Sequence, residues 1–308
     1  MDQSATILAE PYAGLQAQAV GLAEAAGLIP TTVSIKAKWP WRWVSARSWP
    51  SPLSAVDLPV LRDKVLISAG GTAGVVAAAL RHKHQLVQVQ HPRIDPGRFD
   101  LVVVNRHDGL TGANVVVTRT ALHRVTQARL AEAAAEWTPR LAHLPRPLVA
   151  VLVGGSNGRF RLDRAVAAAL GAQLADMMRL DRVGLALTPS RRTSPEVRAA
   201  LTEAVAPLGG WVWDMTGDNP YYGLLACADA IVVTEDSVSM VSEAVATSAP
   251  VLLAPLPGHS RRIRLFNQLL KQDGRVRPFT GRLQTWDAKP LDDTPMAGAE
   301  VRRRLGLG

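Results

Sequence analysis

The stretch Ile231-Val-Val-Thr-Glu-Asp-Ser-Val-Ser-Met-Val-Ser-Glu243 predicts a buried strand, a short polar turn and the start of a helix. Ala230 to Val233 is a β-branched apolar run of the kind found in parallel sheets. Val238, Val241 and Val245 repeat at the helical spacings of three and four. The polar turn therefore lies at the carboxyl end of a strand, which is where open parallel sheets bind their ligands.

The polar side chains at this helix start have two interpretations. Asp236, Ser237 and Ser239 are residue types that cap helices. The same helix start also offers the free backbone N–H groups from Ser237 to Met240 to an anion. Glu243, one turn further on, either stabilises the helix dipole or accepts hydrogen bonds from a ribose diol.

Strands and helices alternate along the 308 residues, and the pattern restarts after a run of helix breakers near residue 140. This alternation predicts an α/β fold with two Rossmann-like, doubly wound parallel-sheet domains facing a cleft. The expected boundaries are 1–138 for the first domain, on the acceptor or membrane side, and 139–280 for a nucleotide-sugar domain. Residues 281–308 would form a tail or helix that could pack back on the first domain.

Composition narrows the classes of function. The single cysteine, Cys227, excludes a disulfide framework and a cysteine metal site. His82 and His84 have no carboxylate cluster nearby, so no metal is expected. A start without signal-peptide features and the lack of an apolar run of membrane-spanning length predict a cytoplasmic protein, with peripheral association at the inner face of the membrane as an option. The net charge of +9 favours anionic partners.

A tryptophan-rich stretch follows the second predicted strand. Four of the eight tryptophans lie between Lys36 and Pro50, interleaved with basic residues. Trp39, Trp41 and Trp43 with Arg42 have the composition of a surface that docks on an anionic membrane or a lipid-linked acceptor. The alternative is a proline-rich loop whose tryptophans cover the edge of a core. Nucleic acid is not expected as a partner, since no binding motif accompanies the stretch.

Polar turns after the strands of the second half could converge on one edge of the sheet. Glycines in the turn Gly154 to Gly158 allow close approach to a phosphate, and the guanidinium groups of Arg191 and Arg192 suit bidentate phosphate binding. A tight turn and a solvated loop are the alternative interpretations. The predicted binding residues are Gly154, Gly155, Ser156, Ser190, Arg191, Arg192, Thr193, Asp236, Ser237, Ser239, Met240 and Glu243.

Further basic residues lie in Gly258-His-Ser-Arg-Arg-Ile-Arg264, which fits either this same edge or the exposed face of an amphipathic helix. Neither half of the chain contains a Walker lysine motif. In the first half, His107 beside Asp108, and His91, follow predicted strands and are candidates for a general base. The second adjacent pair, His123 and Arg124, is a further candidate.

The motifs together resemble the mitochondrial fission "elongated mitochondria" family, which has plant and bacterial members. The resemblance covers nearly the whole chain and rests on these segments: Pro40-Trp-Arg-Trp43, Gln90-x-Pro-Arg93, Ala121-Leu-His-Arg-Val125, Thr188-Pro-Ser-Arg-Arg-Thr193, Asn219-Pro-Tyr221 and Thr234-x-Asp-Ser-Val-Ser-Met-Val-Ser-Glu243. Two positions depart from the family pattern, His91 where Asp is usual and Ala17 where Asn is usual. The alanine- and arginine-rich composition suggests a bacterial source.

The resemblance implies a fold like that of GT-B glycosyltransferases, whose carboxyl domain holds a nucleotide sugar. We therefore expect a metal-independent glycosyltransferase of hexosyltransferase type that needs no cofactor besides its nucleotide-sugar substrate. Two alternatives stay open. Plant members act as adaptors that recruit a dynamin-related GTPase to a membrane, and an epimerase would use the same nucleotide-sugar site without an acceptor.

Overall fold

The computed structural model describes residues 3–307, and these form two compact units. Unit 1 comprises the described residues up to Arg124 together with those from Asp292 onward. Unit 2 comprises Val125–Leu291. Each unit is built on its own six-stranded sheet, in which every strand pairing is parallel. The predicted α/β fold with two doubly wound parallel sheets is confirmed.

The sheet of unit 1 has the strand order β2-β1-β3-β4-β5-β6. Its strands are β1 (Ser4–Ala9), β2 (Ile29–Ser34), β3 (Val65–Ala69), β4 (Gln85–Val89), β5 (Leu101–Asn105) and β6 (Val115–Thr118). Its helices are α1 (Ala13–Ala25), α2 (Gly71–Ala78) and the chain-terminal α9 (Thr294–Leu305). Helices α1 and α9 pack against each other and share one hydrophobic cluster with the sheet.

The sheet of unit 2 has the strand order β12-β11-β10-β7-β8-β9. Its strands are β7 (Leu148–Val153), β8 (Gly184–Pro189), β9 (Trp211–Val212), β10 (Ala230–Thr234), β11 (Val251–Ala254) and β12 (Val276–Pro278). Its helices are α3 (Gln127–Leu141), α4 (Arg164–Asp181), α5 (Pro195–Val205), α6 (Tyr221–Cys227), α7 (Val238–Val245) and α8 (Arg261–Gln272).

Strand β7 shows why continuous apolar runs form the centre of this sheet. Leu148, Ala150 and Leu152 belong to one hydrophobic cluster, together with residues of α6, α7 and α8. Val149 and Val151 belong to the opposite cluster, together with residues of α4 and α5. Because successive side chains of a strand point to opposite faces, helices on both faces require apolar residues at every position.

The boundary between the units differs from the one expected from the sequence. It lies between Arg124 and Val125, where the sequence analysis places it at 138/139. Helix α3 belongs to unit 2 because Leu130, Trp137 and Leu141 pack in the same cluster as α6. Pro139, the first of the expected helix breakers, does not end α3, since it lies inside the last turn of the helix.

Polar contacts hold the start of the terminal segment in unit 1. The Asp293 carboxylate accepts hydrogen bonds from the backbone N–H of Arg119 at 2.6 Å and from its Nε at 3.1 Å. The His123 Nε2 atom lies 3.3 Å from Asp292 Oδ1. Burial raises the pKa of Asp293, but the hydrogen bonds from Arg119 outweigh burial and hold this pKa below its usual value.

Among residues 3–307 no helix is long and apolar enough to cross a membrane.

We expect Asp293→Ala to lower the free energy of unfolding by about 2 kcal/mol at neutral pH, because it leaves donors of Arg119 without their buried acceptor. Urea unfolding followed by circular dichroism measures this loss. A depressed carboxyl pKa stabilises the fold above the unfolded value of 3.8, so the difference from wild type should shrink as the pH falls below that value. The exposed residue Asp287 provides the control, and an equal loss for Asp287→Ala would contradict the interpretation.

Candidate functional site

The candidate site lies at the carboxyl edge of the unit 2 sheet. Strands β10, β7 and β8 are neighbours in this sheet, so the turns that follow them lie side by side. These turns contain the glycines at 154 and 155, the segment Ser190–Thr193, and Asp236. The convergence predicted from the sequence is therefore present for these three turns.

Asp236 is the point at which the three turns meet. Its side chain is fully buried, and its Oδ2 atom lies 2.9 Å from Arg192 Nη2, which donates to it. The Thr234 hydroxyl donates to Oδ1 at 2.7 Å. The Gly155 N–H points to Oδ2 at 3.4 Å. One carboxylate thus joins the ends of β7, β8 and β10.

The two glycines are required by close packing within the protein. A Cβ atom at Gly154 would lie 2.3 Å from Asp236 Oδ1, and one at Gly155 would lie 2.3 Å from the carbonyl oxygen of Arg192. The Arg192 Nη1 atom also donates to the carbonyl oxygen of Gly155 at 3.0 Å. The carbonyl oxygen of Gly154 accepts from the hydroxyls of Ser190 and Thr193. The sequence predicts that these glycines allow a phosphate to approach closely. In the structure, Asp236 and the Arg192 backbone occupy the space beside them.

Other predicted donors are also engaged within unit 2. The Ser156 hydroxyl accepts from the Leu162 N–H at 2.8 Å and donates to the Leu162 carbonyl at 3.0 Å. The Ser237 hydroxyl caps α7 by accepting from the Met240 N–H at 3.3 Å. The first-turn N–H groups of Val238 and Ser239 have no acceptor within the helix, because the first N–H groups of any helix lack one. The exposed Arg191 side chain and these two N–H groups are the donors best placed for an external anion.

Glu243 lies on α7 beside the first residue of α6. The Tyr221 hydroxyl donates to Glu243 Oε2 at 2.5 Å. Glu243 keeps part of its surface exposed, yet protein atoms crowd its carboxyl, and this burial raises its pKa to about 7 against the smaller opposing effect of the Tyr221 hydrogen bond. Burial and the Glu243 charge raise the pKa of Tyr221 well above its usual value. Glu243 therefore changes its charge near neutral pH.

The candidate bases of unit 1 are placed less favourably for proton transfer. The His107 side chain is 2% exposed, and its Nε2 atom lies 3.8 Å from Asp108 Oδ1. Asp108 Oδ2 faces the Asn105 N–H at 3.3 Å, as part of the cap of a short helical turn. His91 accepts a hydrogen bond from the Arg93 N–H at Nδ1, so the neutral ring carries its proton on Nε2. In this geometry His91 presents a donor, and His107 is enclosed.

One part of the tryptophan-rich stretch covers the core, and another part is an exposed surface. Trp49 is buried, and Trp41 is partly buried and packs edge-to-face on it with ring centroids 6.5 Å apart. Trp39 and Trp43 are 76% and 77% exposed. The Arg42 guanidinium lies 5.1 Å from the centroid of the Trp43 ring. Two tryptophans cover the core and two face solvent, so Trp41 does not belong to the exposed surface that the sequence predicts.

A recess of about 360 Å³ lies elsewhere on unit 2, lined by Trp137, Trp211 and Trp213. None of the predicted site residues lines it. The Arg140 guanidinium stacks 4.7 Å from the Trp137 ring centroid and pairs with Asp218 at 2.9 Å. The protein thus supplies its own cation to this recess, and we assign the function to the turns after β7, β8 and β10.

Two residues of the site were missed in the sequence analysis. Tyr221 belongs to the Asn219-Pro-Tyr motif, but its contact with Glu243, 22 residues further on, depends on the packing of two different helices. Thr234 ends β10, and its hydroxyl bonds both Asp236 and the Gly154 N–H. A polar residue at the last position of an apolar strand is the signal that identifies Thr234.

Among residues 3–307 no group of three His, Cys, Asp or Glu side chains is arranged to hold a metal ion, and metal independence stays a prediction.

We expect Asp236→Asn to lower the free energy of unfolding by about 2–3 kcal/mol, because it leaves the Arg192 guanidinium without its buried counter-charge. In a double-mutant cycle with Arg192→Met, the two losses should be non-additive by about 1 kcal/mol or more. Chemical denaturation measures both quantities. Asp176→Asn is the control, since Asp176 pairs with Arg179 at the surface and its loss should cost less than about 0.5 kcal/mol. Additive losses at 236 and 192 would contradict the proposed pairing.

Known proteins share this fold. MurG of Acinetobacter baumannii superposes with a TM-score of 0.52 at 16% identity, over 98% of this chain and 90% of that chain. The UDP-GlcNAc 2-epimerase of Neisseria meningitidis, bound to UDP-GlcNAc, superposes with a TM-score of 0.52 at 10% identity, over 99% of this chain and 100% of that chain. At these identities the likeness shows a shared GT-B-like fold and nothing further.

The sequence comparisons are more specific. The mitochondrial fission protein ELM1 of Arabidopsis thaliana is 34% identical over 277 residues, which is 78% of this chain. The alignment covers 64% of the Arabidopsis protein, so this chain spans less than two thirds of the length of that relative. The family description "Mitochondrial fission ELM1" matches residues 13–305. A match of this extent shows that the chain belongs to the mitochondrial fission ELM1 family.

Proposed function

We propose that this protein binds a nucleoside-diphosphate sugar at the carboxyl edge of the unit 2 sheet and transfers the sugar to an acceptor. The observation that carries the proposal is the placement of Glu243. A partly exposed carboxyl on α7, oriented by Tyr221, lies two turns or less from the uncapped N–H groups of the same helix. Such a helix offers an acceptor for a ribose diol and donors for a diphosphate.

The residues of the site have different roles in this proposal. Glu243 accepts hydrogen bonds from the ribose, and Tyr221 fixes its carboxyl. The N–H groups of Val238 and Ser239, with Arg191, bind the diphosphate. Asp236 and Arg192 position the turns and leave the phosphates to their neighbours, which revises the direct phosphate contacts expected for Arg192, Gly154 and Gly155.

The reaction that follows is a substitution at the anomeric carbon. An acceptor hydroxyl attacks this carbon, the bond between the sugar and the β-phosphate oxygen breaks, and the nucleoside diphosphate leaves with the electron pair. The helix N–H groups stabilise the charge that develops on the leaving phosphate. The hydroxyl proton passes to a base, for which His91, His107 and Asp108 stay the predicted candidates. The enclosed His107 ring and the protonated Nε2 of His91 mean that either histidine must reorient before it accepts a proton.

An epimerase that acts on the donor alone is a second candidate. The fold is compatible with it, since the Neisseria UDP-GlcNAc 2-epimerase has a similar fold. Both proposals use the same site at α7. They differ in the product, because the epimerase isomerises the sugar nucleotide without an acceptor and the transferase releases free nucleoside diphosphate.

A membrane adaptor is the third candidate, and the exposed Trp39 and Trp43 favour it. The Arg42 cation lies against the Trp43 ring and Trp39 is exposed in the same stretch, which therefore combines apolar area with positive charge. Such a surface partitions to the headgroup region of an anionic bilayer. Membrane docking is compatible with sugar transfer if the acceptor is a lipid, and it stands alone if no sugar nucleotide binds.

We expect Glu243→Gln to weaken the binding of a nucleoside diphosphate by about tenfold at pH 8, because a neutral amide replaces the ribose-binding carboxylate. Isothermal titration calorimetry with UDP, GDP and ADP measures the affinity. Wild-type binding should strengthen as the pH rises through 7, where Glu243 ionises, and the variant should lack this dependence. Glu203→Gln, on exposed α5, is the control. Failure of all three nucleotides to bind the wild-type protein would overturn the proposed function.

The same variant has a predictable effect on stability. A carboxyl whose folded pKa is about 7 and whose unfolded pKa is 4.5 costs stability as the pH rises between these values, because only the unfolded state releases its proton. The free energy of unfolding of Glu243→Gln should therefore rise relative to that of the wild type between pH 4.5 and pH 7, by about 2 kcal/mol at pH 7. Thermal melts measure this difference. A constant difference across this range would show that the carboxyl titrates normally.

We expect the double variant Trp39→Ser/Trp43→Ser to lose binding to vesicles of phosphatidylglycerol and phosphatidylcholine, by about tenfold or more, because it removes both exposed indoles. Cosedimentation measures the bound fraction. Val60→Ser is the control, since Val60 is 85% exposed and lies outside the stretch. Wild-type protein that stays in the supernatant, or a double variant that sediments like wild type, would exclude this surface as a membrane contact.

A further inference from the structure

A strap of two loops crosses the carboxyl edge of unit 2. The loop after β7 and the loop after β11 are joined by an antiparallel bridge between Phe160 and Gly258. The Arg161 N–H donates to the Pro257 carbonyl at 2.8 Å, and the His259 N–H donates to the Arg159 carbonyl at 3.0 Å. We name the segments 156–161 and 257–260 the strap.

The strap is rigid and closely packed. A Cβ atom at Gly258 would lie 2.3 Å from the carbonyl oxygen of Arg159, so the approach of the two loops requires glycine. Phe160 is buried in the cluster that also holds Ile263, from the first turn of α8. The strap and the start of α8 therefore form one platform on a common core.

The sheet order places this platform beside the site. Strand β10 lies between β11 and β7, so the loops that form the strap come from the strands on either side of it. The turn after β10, which begins α7, is therefore flanked on both sides by strap loops. The Asp236 contacts hold this turn to the β7 and β8 loops, and the strap bounds it towards β11.

The platform carries cations that have no counter-ion. Arg159, Arg261 and Arg264 are exposed, and within residues 3–307 their side chains form no ion pair or hydrogen bond. Arg159 and Arg161 are exposed on either side of the buried Phe160, so both face away from the core. Arg261 and Arg264 lie three residues apart on one face of α8. Arg161 pairs with Asp163 at 3.3 Å. The other three arginines leave the platform positively charged.

These charges work against local stability. Cations in the first turn of a helix oppose the helix dipole, and the first turn of α8 contains no acidic residue to offset them. Unpaired arginines at this position lower the stability of the helix. Solubility does not explain them, because cations elsewhere on the surface would serve it equally well. A local rule broken beside a ligand site without a compensating contact is typical of a functional group.

We propose that the strap and the first turn of α8 bind a negatively charged group of the substrate other than the diphosphate of the nucleotide. This group is a phosphate or a carboxylate, on either the transferred sugar or the acceptor. The inference deepens the proposed function and rests on it for the identity of the neighbouring ligand. Arginine suits both groups, because its planar guanidinium binds phosphate and carboxylate oxygens in a bidentate manner.

Inorganic pyrophosphate is the first probe, measured by isothermal titration calorimetry. The double variant Arg159→Gln/Arg264→Gln should bind it about tenfold more weakly than wild type, while circular dichroism shows an unchanged fold. Arg182→Gln is the matched control, since Arg182 is an exposed arginine that precedes β8 at the opposite edge of the sheet. Equal weakening by Arg182→Gln, or no weakening by the double variant, overturns the inference.

Competition then identifies the source of the charge. If UDP displaces the part of the pyrophosphate binding that the double variant loses, the strap holds the nucleotide diphosphate and the inference is wrong. If UDP-glucuronate displaces it and UDP or UDP-glucose does not, the charged group belongs to the sugar. If none of them displaces it, the group belongs to the acceptor. Pyrophosphate binding at the strap in a protein that binds no nucleotide would refute the proposed function and leave the anion site established.

Discussion

The carboxyl edge of unit 2 depends on one buried carboxylate, that of Asp236. Three loops meet there, and the Gly155 N–H, the Arg192 guanidinium and the Thr234 hydroxyl all require an acceptor. Asp236 supplies that acceptor, with Arg192 as its counter-charge and Thr234 as its second donor. Burying a carboxylate is costly, and this cost is offset only where charge and hydrogen bonds are matched in good geometry. The matched contacts fix the loops after β7, β8 and β10 in one arrangement.

The stretch from Thr234 to Glu243 uses two carboxylates in opposite ways. Asp236 is enclosed and meets a cation, so it serves the protein itself. Glu243 meets a neutral phenol and no cation, and burial raises its pKa to about 7. A carboxyl that titrates near neutral pH is destabilising when ionised, so Glu243 is expensive as a structural residue and suited to a ligand that supplies hydroxyl donors. This difference in environment separates Asp236, which positions the loops, from Glu243, the proposed ligand-binding residue.

The sequence predicts the fold well because the signals are local. Continuous apolar runs such as Leu148–Val153 identify strands buried on both faces, and the glycines after them identify turns at the carboxyl edge. The boundary of α3 is harder to predict, because Pro139 is tolerated near the end of a helix whose apolar face packs on α6. The direction of side chains within the site is not a local property. The sequence around Arg192 is the same whether its side chain contacts a phosphate or Asp236. Which of the two it contacts depends on how close the loops after β8 and β10 lie in the fold.

For the same reason, a run of glycines after a strand does not by itself indicate a phosphate site. The turn Gly154-Gly-Ser-Asn-Gly158 has the composition of a phosphate-binding loop, yet Gly154 and Gly155 are required because Asp236 and the Arg192 backbone occupy the space of a Cβ atom. Intolerance of substitution at these two glycines would therefore follow from internal packing and would carry no information about a ligand. Gly158 has no atom within 4 Å of its Cβ position, so packing does not require glycine there. The chemistry of the edge must be traced through groups that remain available to solvent: the first turn of α7, Glu243 and the arginines of the strap platform.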